Sequence, residues 1–179
     1  MTALDSAVSL PALAALRDQI SALNDGPAQE VRAGHLGLGP DLWLSCDPDG
    51  QTRMVIAPDG AGLRLTVEAG DTGRWSSIGM RLQSAELQQA RSVGLALTQR
   101  SAGLISFRPT LRYFLPEGGF HDVSTPDPVV MAPGARDLRS HVPVDAELAA
   151  RVRGCELNIF LLDDGLCAED LRFDPLLML

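Results

Sequence analysis

Leu104-Ile105-Ser106-Phe107-Arg108-Pro109-Thr110-Leu111-Arg112-Tyr113-Phe114-Leu115, followed by Pro116-Glu117-Gly118-Gly119-Phe120-His121-Asp122, is the stretch whose reading decides the fold. One parity carries Ile105, Phe107, Pro109, Leu111, Tyr113 and Leu115. The other carries Ser106, Arg108, Thr110, Arg112 and Phe114. That is the two-residue period of a strand with one buried and one wet face. Arg108 and Arg112 stand on the wet face, roughly 13 Å apart along the strand. Pro116 ends the strand and Gly118-Gly119 supplies the turn. Pro109 is the weak point, because proline cannot donate to a ladder. A bulge there would flip the parity and separate the two arginines.

The same grammar runs on both sides. Leu42–Cys46, Thr52–Ala57 and Leu63–Val67 read as a three-stranded meander, punctuated by Asp47-Pro48-Asp49-Gly50 and Pro58-Asp59-Gly60. After Gly70-Asp71-Thr72-Gly73, Arg74–Gln83 alternates Ile78, Met80 and Leu82 with Trp75, Ser77, Gly79 and Arg81. Trp75 has two readings: an exposed aromatic on the polar parity, or a cover over a sheet edge if the strand begins after it. Ser84–Arg91 holds a helical turn, and Val93, Leu95 and Leu97 form another strand. Leu138–Val144, with Pro143, fits an edge strand. Asp145 caps a short helix. Glu156–Leu162 buries Leu157, Ile159 and Leu161 and turns outward Glu156 and Asn158, and Asp163-Asp164-Gly165 reads as a tight hairpin turn into Leu166–Phe173. Short strands separated by Gly, Pro and Asp turns predict an all-β antiparallel sandwich.

The N-terminus differs. Ser9 reads as an N-cap and Pro11 sits in the first turn. Leu10, Leu13, Leu16, Ile20 and Leu23 then make an apolar stripe that Asn24-Asp25-Gly26-Pro27 stops. The expected organisation is an N-terminal amphipathic helix over 1–26, a Gly/Pro-rich linker over 27–41 and a β-sandwich over 42–179. The stripe either docks on its own domain or, through residues 9–24, forms a seam with a second copy or a protein scaffold.

Composition excludes several classes. The net charge is −8, and all fifteen basic residues are Arg. With charges mixed along the chain, there is no basic stripe for nucleic acid or anionic membrane. No basic residue precedes the apolar N-terminal residues, so no signal peptide is expected, and no run approaches a membrane span. The expected location is cytoplasmic, or exported or particle-associated by a non-Sec route. Cys46, Cys155 and Cys167 have no CxxC spacing and read as buried apolar thiols, with a Cys155–Cys167 pair as the alternative.

Catalysis finds no constellation. His35, His121 and His141 lie in separate segments, and there is no nucleophile elbow. The residues that do converge are Trp75, Arg81, Arg108, Arg112 and Asn158. If strands 74–83, 104–115 and 156–162 are neighbours, these five share one face. Arg and Asn bind hydroxyls or carboxylates, and Trp stacks on a pyranose.

This layout resembles the galactose-binding-like jelly roll of carbohydrate-binding modules. The resemblance is carried by Trp75 with Ile78-Gly79-Met80-Arg81-Leu82, by Phe107–Leu115, and by the closing strands Glu156–Leu162 and Leu171–Phe173. It implies a jelly-roll sandwich and a non-catalytic carbohydrate-binding surface, with the outward arginines suited to an acidic polysaccharide or glycan. It also implies a possible structural calcium, for which Asp47, Asp49, Asp71, Asp163 and Asp164 are available. The alternative function is a structural or assembly subunit, such as a phage-like spike, fibre or capsid-accessory protein, attached through the N-terminal helix.

Overall fold

Alternation of apolar and polar residues decides which side of each strand meets the core. In the computed structural model, which describes residues 10–68, 75–162 and 166–179, the strands form two antiparallel sheets facing each other across that core. In chain order the strands are β1 (Gln29–Val31), β2 (Gly34–Gly37), β3 (Leu42–Cys46), β4 (Arg53–Asp59), β5 (Gly62–Glu68), β6 (Ser76–Leu82), β7 (Ser92–Arg100), β8 (Ile105–Phe114), β9 (Phe120–Ser124), β10 (Val129–Met131), β11 (Arg136–Pro143), β12 (Gly154–Leu161) and β13 (Cys167–Met178). One sheet runs β1-β4-β5-β13-β7-β11. The other runs β10-β8-β12-β6-β3-β2, with β9 pairing the same edge of β8 as β10. The fold is an all-β sandwich of the jelly-roll type with an N-terminal helix.

The opening stretch becomes β8. Ile105, Phe107, Leu111 and Tyr113 are buried in the core, beside Leu157 and Ile159 of β12 and opposite residues such as Leu65, Leu97 and Phe173 of the other sheet. Tyr113, fully buried, accepts the Asp145 N–H on its hydroxyl at 3.1 Å. Burial pushes its phenol up to about 12.

Pro109 causes no bulge. The β8–β12 register is continuous from Gly154↔Phe114 to Leu161↔Phe107. The Ser106 and Phe114 carbonyls accept from Leu162 and Arg153, so the even-numbered backbone groups of β8 point at β12 and the odd ones away. Pro109 therefore faces the other edge, between the end of β10 pairing at Phe107 and the start of β9 pairing at Thr110. No ladder N–H is required there, and Arg108 and Arg112 stay on one face.

Three expectations change. Residues 27–41, expected as a linker, contain β1 in one sheet and β2 in the other. The expected meander is split: β4 and β5 pair as a hairpin, while β3 crosses to the other sheet, between β2 and β6. The closing strands are not a hairpin either. β12 pairs β6 and β8, whereas β13 pairs β5 and β7. Local turn chemistry at each break was read as hairpin formation, but in a sandwich the same turns also carry the chain between layers. Asp163-Asp164-Gly165 and Gly70-Asp71-Thr72-Gly73 lie outside the described residues. β11 is an edge strand, as Pro143 required.

The helix α1 (Pro11–Ala22), extended by a 3₁₀ turn to Asp25, lays its apolar stripe on its own domain. Leu10, Leu13, Leu16, Ile20 and Leu23 are all buried in the common core, and the helix touches β3 and β6 of one sheet and β13 of the other. Of the two roles expected for the stripe, docking or a seam through residues 9–24, the described residues show docking on its own domain. Its N-cap is Leu10, not Ser9, which lies outside the described residues. Glu86, from the short helix α2 (Ser84–Leu87), supplies the missing acceptor instead, taking the Ala12 N–H at 2.9 Å. Asp145 caps α3 (Ala146–Arg151) through the Leu148 N–H at 2.9 Å. No described helix is long and apolar enough to cross a membrane.

The cysteines are free thiols, Cys46 and Cys155 buried and Cys167 exposed. Burial raises Cys46 and pushes Cys155 up to about 12. At pH 8, one thiol is expected to react with an aromatic disulfide reagent within minutes, and the other two only on unfolding. Fast reaction of more than one would contradict this burial.

Candidate functional site

Sheet order brings the expected face together. β6, β12 and β8 are consecutive neighbours, so their outward parities line up in rows. Glu156 of β12 sits between Arg81 of β6 and Arg112 of β8, Asn158 between Gly79 and Thr110, and Phe160 between Ser77 and Arg108. On the far side of β6, β3 adds Trp43 opposite Gly79 and Ser45 opposite Ser77. β2 adds His35 opposite Ser45.

A cleft of about 460 Å³ opens on this face, lined by His35, Trp43, Ser45, Trp75, Ser77, Arg112, Phe120, Glu156, Asn158 and Phe160. Its floor depends on an absent side chain. The Trp43 indole lies flat over Gly79: a Cβ built there would stand 2.1 Å from Nε1 and 2.2 Å from Cε2. The indole is thereby almost wholly buried although it stands on the outer face, and the His35 ring packs on it at a centroid distance of 5.5 Å. Trp75 immediately precedes β6, and its carbonyl accepts the Asp47 N–H at 3.0 Å. The strand begins after Trp75, as the second reading had it, but β6 is an interior strand and the half-buried Trp75 lines the cleft instead of covering a sheet edge.

Arg112 is held from two directions. Asp122 of β9 takes its Nε at 2.8 Å and its Nη2 at 2.7 Å, a bidentate pair. Its guanidinium stacks over the exposed Phe120 ring at 3.9 Å, with Phe160 at 6.0 Å. Asp122, more than any other group, raises the Arg112 pKa.

Glu156 is half-buried in the cleft. Burial raises its carboxyl above the ordinary value, offset in part by Asn158, Arg112, Arg81 and His35. The Asn158 amide approaches it too loosely for a well-formed bond. Asn158 is 5 % exposed, and its Nδ2 is enclosed without an acceptor in bonding geometry among the described residues. A raised carboxyl pKa means that the folded state binds the extra proton. Stability therefore falls as pH rises from the unfolded carboxyl value through the folded one. Glu156→Gln removes this dependence. The variant is expected to be the more stable protein at pH 7, with the difference closing below about pH 4; a gap that stays constant from pH 3 to 7 would contradict it.

Of the five residues expected from sequence, Trp75, Arg112 and Asn158 line the cleft. Arg81 shares the face but turns toward Asp41, 3.7 Å away, on the side of the sheet where Leu13 and Leu16 of α1 pack. Arg108 shares the face too, in the same row as Phe160 and one strand further out, beyond the cleft lining. The residues missed were Trp43, His35, Ser45, Ser77, Phe120, Glu156 and Phe160. One signal existed for the floor: a glycine inside a strand marks close approach of another group, and Trp43 shares its parity with the polar Ser45.

No protein-family model matches the sequence, and no curated protein matches it. Solved structures do resemble the fold. A family 11 carbohydrate-binding module from Clostridium thermocellum, in complex with a β-1,3-1,4-mixed-linked tetrasaccharide, is 9% identical; the match covers 86% of this chain and 97% of that one, with a TM-score of 0.49. A xylan-binding domain of family 22 is 13% identical over 72% of this chain and 81% of that one, at 0.45. A mannan-recognising family 27 module is 13% identical over 82% and 98%, at 0.40. These are β-sandwiches of carbohydrate-binding modules, as the sequence pattern resembled; at such scores they carry nothing about this chain's ligand.

A calcium cage does not fit the described carboxylates. Asp47 is buried and its Oδ1 accepts the Asp49 N–H at 3.0 Å, a turn-forming bond. Among the described residues, no group of three or more His, Cys, Asp or Glu stands close enough to hold a metal. Asp71, Asp163 and Asp164 lie outside them.

Proposed function

We propose that this chain is a non-catalytic carbohydrate-binding module whose ligand lies in the cleft across β3, β6, β12 and β8. The composition of that cleft carries the reading. The chain has only two Trp, one Tyr and five Phe, and four of these aromatics, Trp43, Trp75, Phe120 and Phe160, line this single cleft. Interleaved with them are short hydrogen-bonding groups: Ser45, Ser77, Asn158, His35 and Glu156. Flat apolar rings beside small donors and acceptors suit the alternating C–H faces and hydroxyl edges of sugar rings. Glu156, half-buried in the cleft, is an acceptor for a ligand hydroxyl, and the Asn158 amide stands beside it in the floor.

The cleft itself favours a neutral segment of polysaccharide. Arg112 is already neutralised by Asp122, and Glu156 adds an acid to the floor. Asp122 is committed to Arg112 in turn, which leaves Glu156 as the single uncommitted carboxylate of the cleft among the described residues, suited to binding rather than to paired acid–base hydrolysis.

Affinity electrophoresis through gels containing neutral polysaccharides (xylan, mixed-linkage glucan, mannan) tests this. At least one is expected to retard the protein, and Trp75→Ala and Asn158→Ala are expected to weaken that retardation about tenfold or more. A protein retarded by none of them, or retarded as strongly in both variants as without the substitutions, would remove the reading.

A further inference from the structure

Three arginines stand on the outward face of β6 and β8, and two are spoken for. Arg81 lies against Asp41 and Arg112 is forked onto Asp122. Arg108 differs. Among the described residues no carboxylate lies within ion-pairing distance of it, and its Nε is enclosed and unbonded. It is half-buried and sits directly opposite Phe160, the residue that forms the cleft wall. The Nε is shut off from solvent, but the half-exposed guanidinium presents its outer N–H groups with no described carboxylate beside them, and a carboxylate is the anion that matches them. The geometry points to a second subsite: we propose that Arg108 receives the carboxylate of an acidic sugar, a uronic acid unit or branch, carried by a polysaccharide whose neutral stretch occupies the cleft.

The spacing supports this. Arg108 lies roughly 13 Å along β8 from Arg112, a separation of about two sugar rings, and Phe160 bridges the two sites. Because the cleft offers no uncommitted cation among the described residues, Arg108 would be where a charge on the ligand is read. The subsite rests on the carbohydrate reading above but makes a separate claim about charge.

The experiment compares glucuronoxylan and polygalacturonate with their carboxyl-reduced, neutral forms, by calorimetry on the whole chain. At least one acidic form is expected to bind about tenfold tighter than its reduced form in low salt, with the advantage shrinking as ionic strength rises. Arg108→Gln should abolish that advantage while leaving the affinity for the reduced form unchanged; thermal melting of the variant confirms its folding, and Arg108→Lys should restore part of the advantage. Equal binding of both forms by the unmodified protein, or Arg108→Gln weakening both alike, would overturn this subsite alone. Binding of neither form, together with no retardation by the neutral polysaccharides, would overturn the carbohydrate reading and the subsite with it.

Discussion

Gly79→Ala is expected to eject Trp43 from the cleft floor. The added Cβ would meet Nε1 at 2.1 Å, Cε2 at 2.2 Å and Cζ2 at 2.6 Å, distances at which a rigid ring must move away. The indole would swing into the cleft or out to solvent, and the His35 ring stacked on it would lose its support. A stability loss of about 1–3 kcal/mol follows from such overpacking. Binding should suffer more: losing a central aromatic anchor costs about 2 kcal/mol, roughly thirtyfold in affinity. A double-mutant cycle isolates the cause. In a Trp43→Ala background the same glycine substitution should cost almost nothing, because the clashing partner has gone, so the two changes will be strongly non-additive. Additive losses would show that Trp43 does not lie on Gly79.

Leu16→Ala is expected to destabilise the isolated chain by about 2–5 kcal/mol. Leu16 is 1 % exposed and belongs to the same core as residues of both sheets. The measurement is denaturant unfolding over a hundredfold range of protein concentration. A loss of this size with a midpoint independent of concentration means that the helix packs on its own domain. Had the stripe served a seam between copies, the substitution would instead shift the midpoint with concentration and reduce the mass seen in sedimentation.

The layered β architecture was legible in the sequence because it rests on a period of two, and β8 shows it most clearly. The face formed by β6, β12 and β8 was legible for the same reason: once those strands are neighbours, Arg81, Arg108, Arg112 and Asn158 must share a side. Strand order was less accessible. The turns after Cys46 and Leu162 resemble hairpin connections, yet β3 and β4 lie in different sheets, as do β12 and β13. Nothing local distinguishes a turn within a sheet from one that crosses between sheets. The linker reading of 27–41 failed because β1 and β2 are only three and four residues long and β2 begins and ends on glycine, with no alternation long enough to register. Trp43 was missed because it is buried and yet outward, a combination that arises only when a glycine on the next strand makes room. Sequence left the helix two roles because an apolar stripe reads the same whether it covers its own sheets or another chain; here it covers its own sheets.

The central claim is that the outward cleft binds polysaccharide. Both tryptophans of the chain line it, so intrinsic emission reports on this site directly. Titrating the protein with the polysaccharide that retards it most is predicted to give a saturable change in tryptophan emission. The change should be altered in Trp75→Ala, and affinity should collapse in Gly79→Ala. Binding that saturates with no change in emission, or that survives Gly79→Ala at full strength, would place the ligand elsewhere and contradict the account.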